Sequence, residues 1–245
     1  ITINASATSG GSSIAAGLRQ SSLISGDGNN NISINADATG IYSAATGVGW
    51  SSIKTGAGND TISISSNANS LTWFGAFHAD AIGLESSSLF TGEGNDTISI
   101  NSSAIGGWIN AIAVDQSIID TGSGNDRLSI NAATTSYGWD PAYGAVNSSI
   151  NMGSGNDTLV INANAQGLSG IWSYGSSSSQ INIGSGNDNI TINASAGASG
   201  GGGWWWGSGA SASANALYAS NFNVGNGNDN ITINASAGAS GGGGW

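Results

Sequence analysis

Cysteine is absent from the 245 residues, proline occurs once, and there are three basic side chains, Arg19, Lys54 and Arg127. Lack of cysteine excludes disulfides and thiolate metal sites, and suits an exported protein that needs no redox control. With so few Lys and Arg the chain lacks the clustered positive charge that nucleic acid requires. No apolar run is long enough to cross a bilayer, and the first residues do not have the pattern of a secretory leader. Fourteen acids stand against the three bases, for a net charge of −11. Charged residues make up only 7% of the chain, so it is acidic without being densely charged. A cation that neutralises the acids is the natural charged partner.

Glycine, by contrast, is abundant at 41 residues, and it is periodic. A turn of the form Gly-x-Gly-Asn-Asp begins at Gly26, Gly56, Gly92, Gly122, Gly153, Gly184 and Gly225, with spacings of 30, 36, 30, 31, 31 and 41 residues. Positions around it recur. Three residues before the first Gly stand Leu23, Ile53, Leu89, Ile119, Ile150, Ile181 and Phe222. Six and eight residues after it come aliphatic pairs such as Ile32 and Ile34, or Leu128 and Ile130, with a residue between them that is mostly Ser or Thr. That alternation is the period of a strand with one buried face.

An Asn follows each pair (Asn35, Asn101, Asn131, Asn162, Asn193, Asn234), with Ser65 the exception. Stacked about 4.8 Å apart, as neighbouring strands are, these amides can satisfy one another in a ladder. Ser21, Ser51, Ser87, Ser117, Ser148, Ser179 and Ser220, five residues before each turn, form a second polar ladder facing inward. Nine residues before each turn only Gly or Ala occurs. All length variation falls between the Asn and this Gly or Ala, which implies one variable loop per coil.

The pattern predicts an all-β fold: a right-handed parallel β-solenoid of about seven coils, the hand following the chirality of parallel crossovers. The whole of 1–245 reads as one repeat array. Two short coils per repeat, or a β-sandwich, are the alternatives. The chain opens inside a repeat at Ile1 and closes one repeat body after its last turn, so both ends read as cuts through a longer array. Residues 190–204 and 231–245 are identical, as in a recent duplication.

The turns and the strands after them resemble the hemolysin-type (RTX) calcium-binding repeat, and are similar to the turns of calcium-dependent bacterial adhesin solenoids. That resemblance implies calcium as cofactor. It implies as ligands Asp60, Asp96, Asp126, Asp157, Asp188 and Asp229, with carbonyls of Gly56, Gly58, Gly92, Gly94, Gly122, Gly124, Gly153, Gly155, Gly184, Gly186, Gly225 and Gly227. The departures are plain. The family's leading Gly is Ser25, Thr55, Thr91, Thr121, Met152, Ile183 or Val224 here, and Asn30 stands where the first Asp belongs, with Asp27 nearby. A bare corner, with Asn and Asp side chains bonding local amides, is the other reading of the same turn.

Nearly every variable loop carries Trp, at Trp50, Trp73, Trp108, Trp139, Trp172, Trp204, Trp205, Trp206 and Trp245. These either shield a thin core or form an exposed stripe for sugars or neighbouring solenoids. The single His78 has no recurring acid partner, so catalysis is not expected. The expectation is a structural protein at the cell surface or outside the cell, in a fibre, sheath or adhesin stalk that self-associates. A glycan- or ice-binding module is the alternative, although the outward row that ice binding would need is irregular: Asp27, Ala57, Glu93, Ser123, Ser154, Ser185, Asn226.

Overall fold

The structure, a computed structural model, describes residues 1–71, 78–136, 138, 140–200 and 210–241. All regular structure among them is β-strand, in three parallel sheets of eight, seven and seven strands. Each coil gives one strand to each sheet, as Asn31–Gly40, Tyr42–Gly49 and Ser52–Lys54 do. In every sheet the neighbour of a strand is its counterpart one repeat away. The protein is therefore a parallel β-solenoid with one coil per repeat, and the two-coil and sandwich alternatives fall.

Like stacks on like because the register follows the repeat: Ile32 on Ile62, Ile34 on Ile64, Leu128 on Leu159, Asn131 on Asn162. Inward aliphatics form continuous buried columns, with Ile53, Leu89, Ile119, Ile150 and Ile181 fully covered in the third sheet. The Gly and Ala column lies in the second sheet, where the coil is narrow. A β-carbon on Gly83 would come within 2.5 Å of both the Ile100 side chain and the Ala113 carbonyl oxygen. Small residues are thus imposed by the aliphatic column opposite.

The variable loop is shorter than the repeat suggests. The first-sheet strand runs on past Asn35 to Gly40, and its counterparts do the same. Inward Ala and Ser continue the alternation there (Ala36, Ala38, Ser66, Ala68, Ser102, Ala104), all buried. Length variation is confined to the corner between the first and second sheets. That corner is Ile41 or Gly107 alone in two coils.

Between the second and third sheets the chain turns at a residue with positive φ in every coil: Gln20, Trp50, Ser86, Gln116, Asn147, Ser178 and Ala219, at 46–50°. The serine that follows is the expected second ladder. Its hydroxyl donates to the carbonyl two residues back, as from Ser117 to Asp115 at 2.6 Å, and accepts the backbone N–H of the preceding coil's serine, as from Ser87 at 3.0 Å.

Candidate functional site: the stacked turns

The seven turns lie one above another, the last five joined by parallel backbone bridges from Glu93 through Ser123, Ser154 and Ser185 to Asn226. Glycine is required at the third position for two reasons. Gly94, Gly124, Gly155 and Gly186 hold φ of 130–151°. A β-carbon on Gly124 would also sit only 1.8 Å from the Gly94 carbonyl oxygen. These carbonyls point along the stack at the next coil's glycine, so the glycines serve close approach of backbone to backbone.

After each glycine pair the Asn faces out and the Asp faces in. The Asn side chains are exposed, and each Oδ1 accepts the backbone N–H of the next coil's Asn, as Asn59 does from Asn95 at 2.7 Å. The Asp side chains are buried. Asp60, Asp96, Asp126, Asp157 and Asp188 are 1–2% exposed, and Asp229 in the last turn is half-buried. Each Oδ1 accepts the backbone N–H of the preceding coil's residue, at 2.8 Å from Asp60 to Asp96 and 2.7 Å from Asp157 to Asp188. Oδ2 of Asp60, Asp96, Asp126, Asp157 and Asp188 is buried with no hydrogen-bond partner.

Burial dominates the electrostatics of this row. It raises the Asp96 and Asp126 carboxyls, the Asp60 and Asp96 amides and then the Thr91 and Thr121 hydroxyls opposing through hydrogen bonding and the neighbouring Asp60 and Asp96 charges adding. Those hydroxyls are committed to carbonyls of the next coil, at 2.9 and 2.7 Å. Burial pushes Asp157 up to about 7, the Asp126 amide opposing and the Asp126 and Asp188 charges adding. The residue before its turn is Met152, which brings no hydroxyl. Asp188 is raised by burial and then by Asp229, with the Asp157 amide opposing.

The position before each turn, where the family motif has glycine, carries an inward side chain: Thr55, Thr91, Thr121, Met152 and Ile183 are all at most 1% exposed. A glycine there would leave the corner hollow.

The donor set does not fit the calcium that the resemblance implies. Calcium takes six to eight oxygens at about 2.3–2.6 Å. Each turn brings one carboxylate, with one oxygen already bonded to an amide. Carbonyls of Gly92, Gly122, Gly153 and Gly184 accept N–H groups of the following coil, and those of Gly94, Gly124, Gly155 and Gly186 face the next coil's glycine backbone. The carboxylates are out of reach of the waters that would complete a partial shell, and among the described residues no three acids or histidines gather as a metal group. The turn is a corner, and its side chains bond amides of neighbouring coils rather than local ones.

Outward polar columns are also laddered. Asn131, Asn162, Asn193 and Asn234 each donate through Nδ2 to the Oδ1 one coil before, at 2.8–2.9 Å, and Asn35 donates to Asn4 in the same way. Ser65 leaves a gap between Asn35 and Asn101. A further ladder, not anticipated from the repeat, runs along the third sheet from Asp120 through Asn151 and Asn182 to Asn223.

The second sheet presents aromatic rings outward. Trp108 is 52% exposed and meets His78 edge-on at 6.3 Å, while Tyr143 stacks on Tyr174 at 5.0 Å. Trp172 lies on the same outer face. Trp50 is at the positive-φ corner, 46% exposed beneath the Arg19 guanidinium at 4.9 Å. Grouping all tryptophans in loops was thus too simple for these three; Trp73, Trp139, Trp204, Trp205, Trp206 and Trp245 lie outside the described residues. Two shallow grooves, one past Thr135 and Gln166 and one past Gln20 and Trp50, contain no titratable side chain. Comparison with protein-family models, curated proteins and solved structures finds no match.

Proposed function

We propose that this chain is a structural rod working outside the cell, as part of a surface fibre, sheath or adhesin stalk whose coils associate end to end. The observation that carries the reading is the common polarity of its ladders. Apart from the break at Ser65, the outward Asn Nδ2 donates backwards, from Asn234 to Asn193 and from Asn35 to Asn4. In every coil the corner serine accepts from the coil before, from Ser21–Ser51 to Ser179–Ser220. A coil at one edge therefore presents the half of each ladder that the opposite edge lacks. Contacts of that head-to-tail kind do not close on themselves and extend into filaments.

Grooves without titratable groups and a surface of amides and hydroxyls support scaffolding over catalysis. Electron microscopy and fibre diffraction of the protein at rising concentration provide the test. Filaments with an axial repeat of about 4.8 Å are expected, and monomers at every concentration would reject end-to-end assembly.

A second reading, glycan binding, is favoured by the outward rings of Trp108, Tyr143 and Tyr174. Retention on insoluble polysaccharide that is lost in a Trp108→Ala, Tyr174→Ala variant would support it.

A further inference from the structure

We infer that Tyr143 and Tyr174 are the two halves of an oxidative cross-link, a dityrosine staple between successive coils that forms when a haem-type peroxidase and hydrogen peroxide oxidise the rod through Tyr218.

Both tyrosines point outward from the second sheet, on the strands Asp140–Val146 and Ile171–Ser177, and they are Cα partners in register. Their rings are nearly parallel, 10° apart, with centroids 5.0 Å from each other. Each strand is also paired on its far side, to Trp108–Asp115 and to Ala212–Tyr218, so the fold itself keeps the rings together. Every phenol ring has two carbons ortho to its hydroxyl, and these are the carbons at which phenoxyl radicals couple. Rotation of the rings about χ2, a broad torsion for tyrosine, sets ortho carbons edge to edge without moving the backbone. Ile112 lies one coil before Tyr143 and Asn215 one coil after Tyr174, so the column offers this one pair of phenols.

Tyr218 supplies the entry. It is 54% exposed, and its ring meets Tyr174 with centroids 5.7 Å apart. Tyr143 and Tyr174 are half-buried. The three rings therefore lead from water to the stacked pair through direct ring contacts, across which an electron can pass. Tyr218 is in register with Ser177, and its ring stands at 69° to that of Tyr174, so it relays electrons without being a stacked partner. Burial, and then Tyr174, raises the Tyr143 phenol above its ordinary range. It is neutral at physiological pH, and its proton must leave with its electron.

The peroxidase takes one electron from Tyr218. The hole moves through Tyr174 to Tyr143, each ring regaining its proton as it is reduced, and Tyr143 is left a phenoxyl radical with its proton lost to water. A second oxidation leaves Tyr174 in the same state. The radicals join through one ortho carbon each, forming a carbon–carbon bond. Each of these carbons then passes its hydrogen as a proton to the oxygen of its own ring, which restores both phenols. Two electrons and two protons leave the pair, and hydrogen peroxide takes them up to become two waters. The closed loop restricts the unfolded chain as a disulfide would, in a protein that has no cysteine.

Oxidation of the whole chain in dilute solution, with a haem peroxidase and hydrogen peroxide, tests the assignment independently of end-to-end association. Dityrosine fluorescence should appear in single chains, and peptide mapping should place the bond between Tyr143 and Tyr174. The melting temperature should rise by on the order of 10 °C. Tyr174→Phe keeps the stacked ring and should abolish the bond. Tyr218→Phe should slow its formation several-fold and leave the same product, and Tyr42→Phe in the second coil should change neither rate nor product. A bond that forms equally well in Tyr174→Phe, a product that joins two chains, or no dityrosine at all would overturn the cross-link. An unchanged rate in Tyr218→Phe would overturn the entry.

Discussion

At each corner between the second and third sheets, a residue bearing a β-carbon is held at φ near 48°, a conformation that costs such residues about 1–3 kcal/mol. The side chains there are unrelated (Gln20, Trp50, Ser86, Gln116, Asn147, Ser178, Ala219), so the corner leaves no trace in composition. What holds it is the serine behind it. Ser117 Oγ donates to Asp115 and accepts from Ser87 N–H, both in buried surroundings. Gln116→Gly is therefore expected to stabilise the chain by about 1 kcal/mol, raising the melt by about 2–4 °C. Ser117→Ala should cost about 2 kcal/mol by leaving the buried Ser87 N–H unpaired, while the Asp115 carbonyl keeps the Ser86 N–H. Calorimetry of the two variants checks both directions, and equal effects would show that the serine does not hold the corner.

Ladders make strands of modest hydrophobicity into sheets, and one missing rung shows what they contribute. Ser65 stacks between Asn35 and Asn101, too short to pass the amide chain along, and Asn101 instead bonds Ser99 at 3.0 Å. Ser65→Asn should join the two halves and add about 0.5–1.5 kcal/mol, read as a higher denaturant midpoint. Much of this architecture is legible in the sequence, because Ile, Leu and Asn recur at fixed distances from a glycine turn. The inward Ala36, Ala38, Ala68 and Ala104 belong to strand although the repeat alone puts them in the variable segment, because Ala contrasts too little with Ser and Gly for alternation to be seen. The turn was legible as a corner, but the side on which its Asp lies was not. Two-residue alternation identifies a face only along regular strand, and Gly122 and Gly124, with φ of 92° and 136°, interrupt it. That Asn125 is exposed and Asp126 buried is thus legible only from the backbone.

Because each coil touches only its neighbours, the stability of the rod is a sum over coils and their interfaces, and a substitution should cost what its neighbours lose. Ile130 lies in a central coil, fully buried, while Ile233 occupies the same position in the edge strand Asn230–Gly241 and is 44% exposed. In dilute solution Ile130→Ala should cost about 2–5 kcal/mol, and Ile233→Ala a small fraction of that. Assembly should abolish the difference. Once another coil covers the edge strand, Ile233 gains the neighbours that Ile130 already has, and its truncation should weaken the filament. The comparison separates two origins of any fibre: if Ile233→Ala leaves assembly untouched while Trp108→Ala abolishes it, the rods adhere by their aromatic sides and not by their ends.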